Sequence, residues 1–185
     1  MNLPLANAGV PMLALHLPAA VALLLPIILI ETTTGWATVR QKGLVLLREV
    51  AFANAISTIV GVPMTWALMF LADLLFSGGG FHDITTTSGL IQSVVVGAAW
   101  LAPYEWQLYW LVPAATLVLL VPYFFVSVFF ERWWLLRRLK PLPRQRLLLT
   151  VWIGNTLTYS GLFVWCYAVF WQATASGAID LPPVL

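Results

Sequence analysis

The chain has 185 residues, of which 61% are hydrophobic and 9% are charged. A soluble domain carries roughly 25% charged residues, so this composition excludes a soluble globular fold. Crossing a bilayer takes about 20 mostly apolar residues per helix, which leaves room for four or five spans and for no separate soluble domain. We therefore expect residues 1–185 to form a single all-α integral membrane domain.

Four apolar segments are long enough to cross a bilayer, at about residues 12–32, 49–76, 108–130 and 147–174. They predict a first helical hairpin over about 12–76, an intervening loop over about 77–107 and a second hairpin over about 108–174. Within the loop, residues 88–103 are apolar but short for a crossing. We expect a short interfacial helix there, with a re-entrant or spanning segment as the alternatives.

All nine basic residues lie in the connections inside the two hairpins. Because loops rich in Lys and Arg stay in the cytoplasm, both termini and the 77–107 loop are expected on the non-cytoplasmic side. The composition is typical of a multi-pass protein of a bacterial-type inner membrane or a thylakoid-like membrane.

The second connection carries a basic cluster that we expect to contact anionic lipid headgroups or a partner protein. Nucleic acid is not an expected partner, since this connection is short and lies close to the bilayer. The cluster consists of Arg132, Arg137, Arg138, Lys140, Arg144 and Arg146.

The two hairpins resemble each other in sequence. Glu31 precedes Asn54 by 23 residues, and Glu131 precedes Asn155 by 24. Both hairpins enter the membrane from the same side, so a duplication would be parallel, with a pseudo-twofold axis along the membrane normal. We expect two pseudo-repeated copies of one helical hairpin.

Small residues recur at four-residue spacing in the second and fourth spans. At that spacing they share one helix face and let another helix approach closely. We expect these faces to make helix contacts, either between the two hairpins or with another protein. The residues are Ala53, Ser57, Gly61, Thr150, Gly154 and Thr158.

Four polar residues lie inside the spans near the basic connections: Glu31, Asn54, Glu131 and Asn155. An amide in hydrocarbon needs a partner, so each Glu is expected to hydrogen-bond the Asn of its own hairpin. One interpretation is a polar clamp that closes each hairpin, or carboxylates that extend toward the headgroups and are neutralised by neighbouring Arg residues. The other is a pseudo-symmetric intramembrane site for a cation, a proton or a polar headgroup.

No catalytic motif or metal-ligand cluster is present, and we expect neither a metal nor a cofactor. A haem or pigment held by His16 and His82 remains an open alternative, while Cys166 is the single cysteine. The leading functional hypothesis is a non-enzymatic accessory or scaffolding subunit that packs against a larger membrane complex or a second copy of itself. The alternative is a small oligomeric transporter or channel using the four polar residues. A lipid-modifying membrane enzyme with Glu31 or Glu131 as acid or base comes third.

Overall fold

The computed structural model describes residues 10–39, 43–77, 86–101 and 107–175. Over these ranges the chain is almost entirely helical, and four of its helices are long and apolar enough to span a membrane. The long helices are α1 (Met12–Val39), α2 (Leu44–Ser77), α4 (Leu108–Arg138) and α5 (Arg144–Ala175). The prediction of an all-α, multi-pass membrane protein is confirmed.

The long helices extend beyond their predicted limits at the basic ends. Helix α1 continues from residue 32 to Val39, and α4 continues from residue 130 to Arg138. Hydropathy marks only the part of a helix that lies in hydrocarbon, and in α4 the good helix formers Arg and Leu carry the helix further. Pro141 and Pro143 have no backbone N–H to continue the ladder, so a tight turn follows α4 and α5 begins at Arg144.

The described chain divides into two compact units, which we consider separately. The first, called the hairpin unit, comprises His16–Thr65 and Val121–Leu162 and so takes in part of each long helix. Its apolar core lies toward the connections within the hairpins, with Trp36 and Trp134 packed against it. The core residues are Val39, Leu46, Val50, Ala53, Val128, Leu135, Leu139, Leu147 and Val151.

The second unit contains the segment between the hairpins. Helix α3 (Thr87–Ile91) begins at Thr86, whose hydroxyl accepts a hydrogen bond from the Gly89 amide and so caps the helix. The helical path continues through a π turn and a 3-10 turn to Ala99. At this length it is a short helix and not a fifth span, and its placement at the membrane interface stays a prediction.

Two short strands and a group of aromatic rings complete the second unit. Strand β1 (Val10–Pro11) pairs antiparallel with β2 (Trp100–Leu101). The indole N–H of Trp66 donates to the Ala99 carbonyl at 2.8 Å. Its ring stacks on Phe70, and both rings lie beside Trp100. Trp66 is therefore a packing residue, as its depth in the second span suggests.

Candidate polar site in the hairpin unit

The four predicted polar residues come together in the hairpin unit, one from each long helix. Two hydroxyl residues of the small faces, on α2 and α5, join them. All six side chains are between 0% and 4% exposed, which places them in the interior of the unit. We call this group the polar cluster; it consists of Glu31, Asn54, Ser57, Glu131, Asn155 and Thr158.

Each glutamate hydrogen-bonds the asparagine of its own hairpin. Asn54 Nδ2 donates to Glu31 Oε2 at 2.6 Å, and Asn155 Nδ2 donates to Glu131 Oε2 at 2.5 Å. The second amide proton of each asparagine goes to the carbonyl one turn earlier, at 3.1 Å and 3.0 Å respectively. These are the Glu–Asn pairs expected from the sequence, and they tie α1 to α2 and α4 to α5.

Each glutamate also meets a hydroxyl of the other hairpin. Ser57 on α2 lies 3.5 Å from Glu131 Oε1, and Thr158 on α5 lies 3.4 Å from Glu31 Oε1. Both hydroxyls also donate to carbonyls of their own helix, so each proton is shared between two acceptors. The weaker, crossed contacts therefore join the hairpins, while the shorter ones close each hairpin.

The two carboxyl groups are direct neighbours at the centre of the polar cluster. Two carboxylates side by side in an apolar interior repel each other, so the pair is favoured when one of them carries a proton. Among the described residues, the other partners of Glu31 and Glu131 are amides and hydroxyls. The ion pairs of this part of the chain involve Glu49 instead, which contacts Arg48 and Arg138.

The small-residue faces make their close approaches inside the chain. A Cβ added at Gly154 would lie 3.0 Å from the Glu31 side chain, and one added at Gly61 would lie 2.9 Å from Val126. Ala53, Ser57, Thr150 and Thr158 are likewise buried. These faces therefore bring α5 against α1 and α2 against α4, and a partner protein would have to use another surface.

A second pair of crossed contacts lies nearer the connections. Thr38 on α1 and Thr150 on α5 have hydroxyl oxygens 2.6 Å apart. Arg138 on α4 lies 3.4 Å from Glu49 on α2, whose carboxylate also accepts from the Trp134 indole at 3.1 Å. Neither contact was predicted from the sequence. The two contacts do occupy equivalent positions when residues are counted from the Glu and the Asn of each hairpin. Thr38 and Arg138 both lie seven residues after their Glu, and Glu49 and Thr150 both lie five before their Asn.

All six residues of the predicted basic cluster are exposed: Arg132, Arg137, Arg138, Lys140, Arg144 and Arg146. The guanidinium of Arg137 lies over the Trp133 ring at 4.4 Å, and that of Arg138 lies over the Trp134 ring at 5.5 Å. Beside them, Lys140 and Arg144 border a shallow groove with an apolar lining of Leu136, Leu139, Leu142 and Leu147.

Of the two histidines, only His16 lies within the described residues. His16 Nδ1 hydrogen-bonds the Tyr123 hydroxyl at 3.0 Å, whereas His82 lies outside the described residues, as do Arg40 and Lys42. Within ranges 10–39, 43–77, 86–101 and 107–175, no group of three His, Cys, Asp or Glu side chains is placed to hold a metal ion.

Comparison with known proteins identifies no relative from which a function could be transferred. No family model, no curated protein and no solved structure matches this chain.

Proposed function

We propose that this protein is a small membrane transporter or channel that binds a monovalent cation, the proton included, at the polar cluster. One observation carries the proposal: the carboxyls of Glu31 and Glu131 lie buried next to each other inside a bundle of apolar helices. Ionisable groups are rare inside membrane spans because they are costly there, and they usually mark an ion or proton path.

The charge of the carboxyl pair favours a cation. With one shared proton the pair keeps one negative charge, and the side chains around it are neutral amides and hydroxyls. An unpaired carboxylate in an apolar interior is very unfavourable. A polar clamp accounts for the Glu–Asn pair of each hairpin, but it does not account for two carboxyls placed side by side, which stay unfavourable unless a proton or another cation neutralises one of them.

The donor atoms of the cluster also suit a small cation. The carboxyls and the hydroxyls of Ser57 and Thr158 present oxygen atoms, which hard cations prefer. The side-chain oxygen of Asn155 is buried, and within the described structure it has no hydrogen-bond partner. Buried polar atoms are normally satisfied, so this oxygen is available as a further ligand for a cation bound in the cluster.

The proposal includes the predicted relationship of the two hairpins as pseudo-repeated copies. Two kinds of crossed contact support it: the Glu–hydroxyl bonds of the polar cluster and the pairs Thr38–Thr150 and Glu49–Arg138. In each kind, a contact from the first hairpin to the second is matched by a contact from the second to the first, made by residues at the equivalent positions. A parallel repeat places the site at the interface of its two halves, as transporters built from internal repeats do.

A second candidate function is the accessory or scaffolding subunit, and the exposure of α1 favours it. Among the described residues, 0% of the most apolar stretch of α1 is buried, against 22% to 33% in the corresponding stretches of the other three long helices. Leu25 and Val21 are among its exposed side chains. Lipid alone can cover this face, but so can a partner subunit or a second copy of the chain.

The orientation and the lipid contacts are part of the same proposal. The exposed basic cluster and its apolar groove fit anionic headgroups with their acyl chains on the cytoplasmic side. Both termini then lie on the non-cytoplasmic side of a bacterial-type inner membrane or a thylakoid-like membrane.

Ion flux in liposomes tests the proposal. The native protein and the variants Glu31→Gln and Glu131→Gln are reconstituted, and the uptake of Na⁺, K⁺ and protons is recorded separately. We expect the native protein to pass at least one of these ions and both variants to lose that flux. Glu105→Gln, a change in the predicted loop between the hairpins, serves as the matched control. Equal flux in the native protein and the two cluster variants would refute the transport function.

A further inference from the structure

A line of hydrogen-bonding side chains extends along α4 away from the polar cluster. Tyr123, Ser127 and Glu131 follow one another at intervals of four residues, so they lie on one face of the helix about 6 Å apart along its axis. Tyr123 and Ser127 each hydrogen-bond a side chain from another helix of the hairpin unit. These contacts lie outside the polar cluster, and the cation site does not require them.

The first contact beyond the cluster is between Ser127 and Tyr159. Their hydroxyl oxygens lie 2.8 Å apart, and either can donate. Tyr159 lies one helical turn after Asn155 on α5, as Ser127 lies one turn before Glu131 on α4. The pair therefore follows directly upon the Glu131–Asn155 pair, on the side away from the basic connection.

The second contact is between Tyr123 and His16. The phenol oxygen lies 3.0 Å from His16 Nδ1, and the two rings meet edge to face. His16 is only four residues from the start of α1, at the end opposite the connection between α1 and α2. It lies 15 residues before Glu31, which corresponds to about 22 Å of helix rise. The side chains therefore cover most of a hydrocarbon layer of about 30 Å.

Polar side chains also continue from the cluster toward the connections. Thr150 lies one turn before Gly154 on α5 and contacts Thr38 at 2.6 Å. Beyond it, Glu49 pairs with the exposed Arg138 at the end of α4. The polar cluster thus has hydrogen-bonding groups on both sides along the helix axes.

We propose that His16, Tyr123, Ser127 and Tyr159 form a proton relay to the Glu31–Glu131 pair, so that the ion handled at the polar cluster is the proton. The inference rests on the proposed function and narrows its substrate class. Imidazole, phenol, hydroxyl and carboxyl groups both accept and donate protons, which a relay requires at every position. A metal cation instead needs several oxygen ligands at each step, and a single phenol–imidazole pair does not supply them.

Each group of the relay accepts one proton and gives up another. A proton that binds one ring nitrogen of His16 releases the proton of the other nitrogen to Tyr123. Tyr123 passes its own hydroxyl proton toward the Ser127–Tyr159 pair, and that pair passes one to a carboxylate oxygen of the glutamate pair. These positions are about 6 Å apart along α4, so the relay requires one bridging water at each step. The shared carboxyl proton then leaves toward Thr38 and Thr150, and the pair returns to its initial state.

The pseudo-repeat does not explain the relay. The positions equivalent to Ser127 and Tyr159 in the first hairpin are Ile27 and Thr58, so the hydroxyl pair occurs in one hairpin only. A hydroxyl pair that served only to hold the two hairpins together would be present in both hairpins. The one-sided placement of Ser127, Tyr159 and Tyr123 points to a function that the clamp does not need.

The test measures proton uptake driven by a pH gradient in liposomes containing the full chain. Tyr123→Phe and Tyr159→Phe remove one hydroxyl each and keep the rings. We expect each to slow proton uptake by at least about tenfold, because the relay loses a position. Tyr167→Phe is the matched control, since Tyr167 is an exposed ring on α5 that stacks on Phe163, and its rate should equal the native rate. The native rate should also fall in D2O, a readout that needs no variant.

The outcomes separate the relay from the proposed function. Loss of uptake in Glu31→Gln together with native rates in Tyr123→Phe and Tyr159→Phe would overturn the relay and leave the cation site standing. Native flux of Na⁺ or K⁺ without proton flux would do the same. Equal native rates in H2O and D2O would also overturn the relay. If the native protein moves no ion, both proposals are wrong.

Discussion

Glu31 and Glu131 lie 100 residues apart in the chain, yet their carboxyl groups are direct neighbours in the interior of the hairpin unit. Each is held by the asparagine of its own hairpin and touched by a hydroxyl of the other. The contact therefore depends on both hairpins at once. Any change that moves one hairpin against the other should alter the geometry of the carboxyl pair.

Removal of the Asn155 amide should destabilise the protein. In Asn155→Ala, Glu131 loses its closest hydrogen-bond donor inside an apolar bundle, where an unsatisfied buried group costs about 1–3 kcal/mol. Thermal unfolding in mild detergent measures the loss. Thr156→Ala, at an exposed neighbouring position, should unfold at the native temperature. If the two variants melted together, the hydrogen bond would contribute nothing to stability.

The close approach of α2 to α4 at Gly61 should not tolerate a methyl group. A Cβ there would lie 2.9 Å from Val126 Cγ1, and valine has little freedom to rotate away. We expect Gly61→Ala to cost about 1–3 kcal/mol, measured by denaturant unfolding in micelles. Gly161→Ala is the control, because a Cβ there meets nothing within 4 Å. Equal stability of the two alanine variants would contradict this packing.

A disulfide should form between α1 and α5. The hydroxyl oxygens of Thr38 and Thr150 are 2.6 Å apart, which places their Cβ atoms within the range that a disulfide bridges. On a Cys166→Ser background, Thr38→Cys with Thr150→Cys should cross-link on mild oxidation, as a shift on a non-reducing gel. Thr33→Cys with Thr150→Cys should not, since Thr33 is an exposed residue of α1. Cross-linking of the second pair alone would show that α5 packs against a different face of α1 from the one that carries Thr38.

The membrane orientation predicted from the basic residues can be tested with reporters. Alkaline phosphatase folds only outside the cytoplasm, whereas green fluorescent protein fluoresces when it is fused on the cytoplasmic side. Because the within-hairpin connections carry all nine basic residues, a C-terminal fusion should be active with phosphatase and dark with the fluorescent protein. The reverse pattern would show that the positive-inside rule fails for this chain.

The sequence predicted the local parts of this structure well. Hydropathy identified four spans, and the 23- and 24-residue spacings anticipated Asn54 beside Glu31 and Asn155 beside Glu131. Within one hairpin, the antiparallel geometry of two helices and the depth of each residue decide which side chains meet. That information is contained in spacing and hydrophobicity alone.

The contacts between the hairpins could not be predicted from the sequence. Ser57 and Thr158 were expected on helix-contact faces, but their role as partners of the opposite glutamates depends on how the hairpins pack. Glu49 was not singled out from the sequence, yet it is buried and accepts from Trp134 and Arg138. No periodicity within a single helix specifies which other helix will lie against it.

Infrared spectroscopy of the carboxyl groups tests most directly whether Glu31 and Glu131 share a proton. The carbonyl stretch of a protonated carboxyl is distinct from that of a carboxylate and shifts when the proton is exchanged for deuterium. In neutral buffer we predict a protonated-carboxyl band in the native protein that shifts in D2O and disappears when Glu31→Gln and Glu131→Gln are combined. A native spectrum with carboxylate bands alone, or a protonated band that persists in the double variant, would contradict the shared proton and the site built on it.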